Sequence, residues 1–456
     1  MGISNYYYRR GVVIVNQWQE MYQKKLRTAD ECAAMVKDGD GIIASIGNGQ
    51  PEVFLNAIGK RIRANELRDI FYTGGVDVKF NDLLSPDIQD RFNYNSGFVG
   101  DAVRMGVNKG LYTFSSNRMG DSVRILSHKM PHVGKSIVTT VVSAMDEHGY
   151  FSSGTHADLC WGAWRSGNFE HLILEVNENM PRSFGNNHFH ISEVSALVEN
   201  NTPMVESPAI AITEKDEIIG KLIAERVPDG ACLQIGIGGM PNAVAKYLTE
   251  KNDLGVHSEM LADSMVDLFN RGVITGAKKN INRNKMVASF ALGSQRLYDF
   301  INNNPVVEIH CSSYVNDPYT IGLNDNVVSV NATLEVDLTG QCCSESIGRM
   351  QYSGVGGQVD FIRGAWRSKG GQAFLALYST YTDKEGKVHS RINPTLTPGS
   401  IVTTPRYEVD SIVTEYGIAT IKGDEMRTRV KKIISIAHPD FREELTFAAK
   451  KMNLLR

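Results

Sequence analysis

The chain has 456 residues, room for about two or three domains. Apolar residues make up 42% and charged residues 22%, the balance of a globular protein, and a net charge of −3 offers no basic surface for nucleic acid. No apolar run approaches the ~18 residues of a membrane helix, and six cysteines with no C-x-x-C pair make neither a disulfide framework nor a zinc site.

These counts lead us to expect a reduced, cytoplasmic protein with no metal. The N-terminus reads Tyr6-Tyr7-Tyr8-Arg9-Arg10, then Gly11-Val12-Val13-Ile14-Val15. Charge ahead of an apolar run has the outline of a secretory signal, but the run is shorter than the ~7 residues required. Asn16-Gln17 follows it with no small-residue cleavage site. Residues 1–16 are expected to be a loose extension.

Next, Asp38-Gly39-Asp40-Gly41 leads into Ile42-Ile43-Ala44-Ser45-Ile46, then Gly47-Asn48-Gly49-Gln50-Pro51 and helically spaced Val53, Phe54, Ala57 and Ile58. Much later, Pro228-Asp229-Gly230 leads into Ala231 to Ile235, then Gly236 to Pro241 and helically spaced Ala243, Val244, Tyr247 and Leu248. Each is a turn, a buried strand, a glycine turn and a proline at a helix start. Asp146-Glu147-His148-Gly149 is answered by Asp337-Leu338-Thr339-Gly340. Gly162-Ala163-Trp164-Arg165-Ser166 follows Gly154 at the same spacing as Gly364-Ala365-Trp366-Arg367-Ser368 follows Gly356. Leu172 to Glu175 is matched with Ile412 to Glu415. Four echoes in one order predict a duplication: two similar α/β halves with mostly parallel sheets, at 17–205 and 206–456, joined near 201–217. The expected active site lies in the cleft between them. A last helix is expected with Asp440 as cap and Glu443 closing a capping box.

Leu254-Gly255-Val256-His257-Ser258-Glu259-Met260 breaks the symmetry. Its counterpart, Leu67 to Gly75, has no acid where Glu259 falls. A carboxylate downstream of a glycine-rich strand-to-helix turn can bind a ribose hydroxyl or act as a covalent nucleophile. The dinucleotide reading takes Gly236-x-Gly238 as the phosphate turn and Glu259 as the ribose acid. It is weakened by the missing third glycine and by Pro241, which removes a backbone donor from the first helical turn.

Several stretches together are highly specific: Gly236 to Val244, His257-Ser258-Glu259-Met260, Val176 to Arg182, Gly354-Val355-Gly356-Gly357-Gln358-Val359-Asp360 through Ala365, and Val413 to Gly417. On these the chain resembles family I coenzyme A transferases, over about Trp18 to Leu455. It is most similar to the branch with 4-hydroxybutyrate CoA-transferase and butyryl-CoA:acetate CoA-transferase, within the acetyl-CoA hydrolase/transferase family. The resemblance implies a NagB/RpiA/CoA transferase-like fold and a ping-pong exchange of CoA between short-chain acids through a glutamyl-CoA thioester on Glu259. It implies an oxyanion donor at Gly357, with Gly356 beside it. It places Gln234, Ile235, Gly236, Ile237, Gly238 and Gly239 against the pantetheine, and has Asn316 orient Glu259 or the pantetheine amide. Leu334 lines the thioester end. Acyl-CoA and carboxylate are then substrates, with no permanently bound cofactor, no nucleic acid or membrane partner and a homodimer expected. Ser258 stands where that branch commonly has threonine, and Trp164 and Trp366 look bulky; all three bear on substrate size.

Three other readings stay open: an acyl-CoA hydrolase using the same glutamate with water, a nicotinamide dehydrogenase and a non-catalytic binding protein. His257, Glu175, Glu415, Asp158 and Asp360 read as structural, and the methionines as core filler.

Overall fold

A computed structural model describes residues 7–9, 12–14, 17–129, 135–207 and 210–456. Within the expected N-terminal extension, Tyr7–Arg9 and Val12–Ile14 pair as an antiparallel hairpin with Tyr7 opposite Ile14. The rest of that extension lies outside the described residues. The chain forms two compact units. One holds Met1–Ser115, Asp121–Glu206 and Gln295–Ser313; the other holds Ser116–Gly120, Ser207–Ser294 and Tyr314–Arg456.

The first unit is built on β1 (Gly41–Ala44), β2 (Ile70–Gly74), β3 (Phe92–Ser96), β4 (Thr113–Phe114), β5 (Ser136–Val142), β6 (His171–Val176) and β7 (Ala196–Glu199). They lie in the order β7-β6-β5-β1-β2-β3-β4, all parallel. Every residue of β5 is buried, as a parallel strand covered on both faces requires. Helix α1 (Glu52–Arg63) buries Phe54, Leu55, Ile58 and Ile62 on one face. Lys60, Arg61 and Arg63 in its last turn suit the negative end of the helix dipole. Asn65, in left-handed backbone, follows the end. A short helix α2 (Cys160–Arg165) packs within this unit.

The second unit repeats the plan with β8 (Cys232–Ile235), β9 (Gly255–Leu261), β10 (Met286–Ala291), β11 (Val327–Ala332), β12 (Gln372–Ala376), β13 (Ser411–Thr414) and β14 (Gly417–Thr420). Their order is β10-β9-β8-β11-β12-β13-β14, parallel except for the closing β13–β14 hairpin. Its helices include α3 (Gly239–Lys246), α4 (Gln358–Arg367) and α5 (Pro439–Lys451). Val336, Phe361, Ile362, Leu375, Ile412 and Ile433 belong to one buried apolar cluster. Among the described residues no helix is long and apolar enough to cross a membrane.

The duplication reaches details. Asp146 Oδ1 accepts from the amides of His148 and Tyr150; Asp337 Oδ1 accepts from those of Thr339 and Gln341. Gly154 and Gly356 both take positive φ, 65° and 56°. In the repeated Gly-Ala-Trp-Arg-Ser, a Cβ at Gly162 would strike Cys311 and one at Gly364 would strike Ile321. Both motifs are therefore close-packing elements.

Three expectations are corrected. By sheet position, β6 answers β12 and β7 answers β13, so Leu172–Glu175 is not the partner of Ile412–Glu415. All are apolar strands near an acid, and only hydrogen-bond pairing tells neighbours apart. The last helix is capped by His438, whose Nδ1 accepts from the Asp440 amide at 3.3 Å. Pro439 takes the first helical position, where its missing N–H costs nothing, and this moves Asp440 inside the first turn. Trp366 is 60% exposed under the Lys422 ammonium, and Trp164 donates to Glu193 at 2.9 Å. Each is anchored by a polar or cationic partner, so neither gauges substrate size.

Candidate active site

From β8 the chain builds β9 and β10 on one side, then crosses to build β11, β12 and β13 on the other. Such a switch point leaves a crevice beyond the carboxyl ends of the central strands. β8 pairs with β9 only through Cys232–Gly255 and Leu233–Val256 before turning away, whereas it follows β11 as far as Ile235–Val330. Glu259 stands on β9 past that last pairing. In the first unit the same register puts Gly75 in its place, since Gly41 pairs with Phe71 as Cys232 pairs with Gly255.

The Glu259 side chain keeps a partly exposed edge, yet protein crowds its carboxyl group. Burial pushes its pKa up to about 7, against a partial counter-pull from the Asn316 amide. Asn316 Nδ2 donates to Glu259 Oε2 at 2.5 Å. Asn316 is itself fully buried and its Oδ1 has no partner among the described residues. Two short helices hold it: Ser312–Val315 before it, and Pro318–Ile321 after it, capped by Asp317. Neighbouring His257 donates from Nε2 to the Val315 carbonyl, 2.9 Å away, and packs edge-on to Phe361. That is a positioning role, as expected from the sequence.

Gly357 meets the same carboxylate. A Cβ built there would collide with both Glu259 Oε2 and Asn316 Nδ2, so any larger residue must displace that pair. The repeat spacing puts Thr155 at the counterpart position in the first unit, which has no such carboxylate. Gly357 caps the N-terminus of α4, where amides point out of the helix unpaired. Its own N–H has no acceptor among the described residues. Gly356 makes the turn at φ 56°, and its carbonyl accepts from the Met119 amide at 2.9 Å. The fully buried Asp360 braces the same segment, accepting from Arg118 Nη1 at 2.8 Å and the Gly120 amide at 3.0 Å. This brace was not legible in the sequence, because its partners are about 240 residues apart.

The structure thus brings Glu259, Asn316, Gly356 and Gly357 together. The 234–239 turn divides. Gln234 Oε1 accepts from Ser329 at 2.6 Å and Asn331 at 3.0 Å, and Ile235 is core. Both side chains are committed inside the sheet. Gly236 is open, with nothing within 4 Å of a built Cβ, and Ile237 is 41% exposed. Gly239 is required by packing: its Cβ would lie 2.6 Å from Asp216 Oδ2. Leu334 lines a cavity with Glu335, Arg391 and Phe441, and its neighbour Thr333 is joined to the segment of Gly357. Gln358 Nε2 donates to Ser344 Oγ at 3.0 Å, and Ser344 Oγ donates to Thr333 Oγ1 at 3.1 Å. That chain was also missed, since polar residues scattered along the sequence carry no signal of meeting.

The two echoed acids are structural. Glu175 accepts from Asn200 Nδ2 at 2.7 Å and from the Val53 and Phe54 amides that open α1; burial pushes its pKa up to about 7. Burial also pushes on Glu415, but the Ser379 amide and the Lys215 ammonium outweigh it and leave its pKa lowered. Buried Asp158 accepts from the Ile46 amide at 2.8 Å.

Residues 13–207 match the acetyl-CoA hydrolase/transferase N-terminal domain, and residues 293–449 match its C-terminal domain. The chain is 44% identical to the succinyl-CoA:cyclohexane-1-carboxylate CoA transferase of Geobacter metallireducens, over 96% of this chain and 97% of that one. It is 40% identical to the 4-hydroxybutyrate coenzyme A transferase of Clostridium kluyveri, over 95% and 99%. The crystal structure of RipA from Yersinia pestis superposes with a TM-score of 0.89 at 38% identity, covering 96% of this chain and all of that one.

Proposed function

We propose that this chain, which belongs to the acetyl-CoA hydrolase/transferase family, moves CoA between short-chain acids such as acetate and butyrate, with Glu259 as nucleophile. The observation that carries the reading is the Glu259 carboxylate set against the Gly357 backbone and the Asn316 amide at the carboxyl end of the sheet.

A Glu259 oxygen attacks the thioester carbonyl. The tetrahedral oxyanion is met by the Gly357 N–H and collapses, expelling CoA thiolate and leaving an acyl–glutamyl anhydride. The thiolate then attacks the glutamyl carbonyl. The acid leaves as carboxylate, and Glu259 carries CoA as a thioester. A second carboxylate reverses the two steps. No proton is gained or lost, so no general base is needed and His257 stays structural. Only a carboxylate nucleophile keeps the thioester's energy, because a serine would stop at a stable ester. The buried, basic Glu259 is a strong nucleophile once ionised, and Asn316 holds it in line.

The test is trapping. With butyryl-CoA and no acceptor acid, hydroxylamine should convert Glu259 to a hydroxamate and borohydride should reduce it to an alcohol. Either should inactivate the protein only when acyl-CoA is present, and peptide mapping should find the mass change within residues 256–260. Modification elsewhere, or none, overturns the assignment. Rapid loss of the adduct in water, with little protection by acetate, indicates a hydrolase. A homodimer is the expected assembly, checked by light scattering.

A further inference from the structure

Arg118, Met119 and Gly120 have no part in the chemistry described above, yet they touch both groups that face Glu259. In chain order Ser116–Gly120 lies between two stretches of the first unit, but it packs with the second. The fully buried Asp360, in the first turn of α4, holds it there. One carboxylate oxygen accepts from Arg118 Nη1 at 2.8 Å and the other from the Gly120 amide at 3.0 Å. The Arg118 side chain is only 27% exposed, so solvent screens the pair little. In the first unit the echoed Asp158 accepts from the Ile46 amide, beside that unit's own glycine turn. Asp360 keeps this place in the repeat but serves a segment from elsewhere in the chain.

Two geometric consequences follow for the site. The Met119 amide donates to the Gly356 carbonyl at 2.9 Å. That carbonyl and the Gly357 N–H belong to one planar peptide group and point in opposite directions. Whatever fixes the carbonyl therefore aims the N–H. The same bond polarises the peptide and strengthens its N–H as a donor. One residue further on, Gly120 lies against the Asn316 backbone: a Cβ there would stand 2.7 Å from the Asn316 carbonyl oxygen. Asn316 is the residue whose side-chain amide holds the Glu259 carboxylate. Three successive residues thus govern the direction of the proposed oxyanion donor and the seat of the group that orients the proposed nucleophile.

We infer that Arg118 is a positioning residue for the transfer. Through its ion pair with Asp360 it fixes residues 118–120, and the Met119 amide then aims the Gly357 N–H at the developing oxyanion. This rests on the reading of Glu259 and Gly357 given above. Arg118 acts through the backbone rather than on the substrate. Its effect falls on the two tetrahedral steps, where charge forms on the carbonyl oxygen. A donor turned away from that oxygen loses much of its hold, because a hydrogen bond weakens steeply with angle.

Arg118→Met should lower kcat for transfer from butyryl-CoA to acetate about 10- to 100-fold. Arg118→Lys, which can still pair with Asp360, should recover part of the loss. A loosened fold would also slow the enzyme, so two further readouts isolate the aim of the amide. In a Gly357→Ala background, where the donor is already displaced, Arg118→Met should cost about threefold or less. An unchanged kcat in the first background, or an equal loss in both, overturns the inference. The second readout needs no turnover. In protein labelled with 15N-glycine, the Gly357 amide is the resonance missing from Gly357→Ala. It should shift in Arg118→Met, as the Met119 bond to the Gly356 carbonyl weakens, and return part of the way in Arg118→Lys. An unmoved resonance overturns the inference. If wild type transfers nothing, the functional reading fails by itself, while the Gly357 resonance still decides whether Arg118 aims that amide.

Discussion

At the scale of single residues, the pKa of Glu259 sets the pH behaviour. As the proposed nucleophile, Glu259 must be ionised, and burial holds it protonated up to about pH 7. In pH–rate profiles, kcat/KM for acyl-CoA should therefore rise with pH and level off above about 7. Asn316→Ala removes the contact that pulls the pKa down, so the rising limb should move to higher pH; an unmoved limb would refute the pairing. The stability effect has the opposite sign. The folded pKa lies above the ordinary 4.5, so the folded state holds this proton more tightly than the unfolded chain. That contribution is complete below pH 4.5 and lost as pH rises through about 7. Glu259→Gln should thus cost roughly 10⁴-fold or more in kcat while raising Tm by about 2–4 °C at pH 8, with the gain fading toward pH 5. Differential scanning calorimetry at the two pH values checks it. Gly357→Ala should lower kcat by about 10²- to 10³-fold, since the methyl group displaces the carboxylate. Full activity in that variant would show that the amide and carboxylate are not partners.

At the scale of elements, the glycine turn after β8 serves two ends. Gly236 and Ile237 leave open backbone and surface for a ligand, whereas Gly239 lets α3 approach the helix Glu214–Ala224. Asp216, the residue it would strike, closes a capping box with Thr213 and accepts from the Tyr378 hydroxyl at 2.8 Å. Gly239→Ala should therefore act on stability, costing about 1–2 kcal/mol through the disturbed cap with KM for acyl-CoA nearly unchanged. Chemical denaturation and steady-state kinetics on one preparation separate the effects; a raised KM at unchanged stability would return Gly239 to the ligand site.

At the scale of the whole molecule, two copies of one architecture have diverged, and the proposed nucleophile of the second has no counterpart acid in the first. Glu259 occupies the register of Gly75, and Gly357 the place of Thr155, so the two changes that make the proposed site occur in the same unit. A covalent CoA intermediate in one such site requires the first acid to leave before the second binds. Varied butyryl-CoA against varied acetate should give parallel double-reciprocal lines, and intersecting lines would require a ternary complex and exclude the anhydride route.

The duplication, the parallel α/β class and the candidate nucleophile could be read from the chain because they are local. Turn glycines, apolar runs and helix starts announce themselves within a few residues, and the acid at 259 stood out by comparison with its counterpart stretch. Folding alone decided what meets what. The pairing of Leu172–Glu175 depends on strand order, which apolar runs do not encode. The cap of α5 fell to His438 because Pro439 claimed the first turn. Gln234 turned inward to Ser329 and Asn331 because a strand's side chains alternate between faces, and Asn316 reached Glu259 across 57 positions. The Asp360 brace is of the same kind: contacts between distant residues are chosen by packing and the demand that buried polar groups find partners, and such contacts leave no mark on sequence spacing.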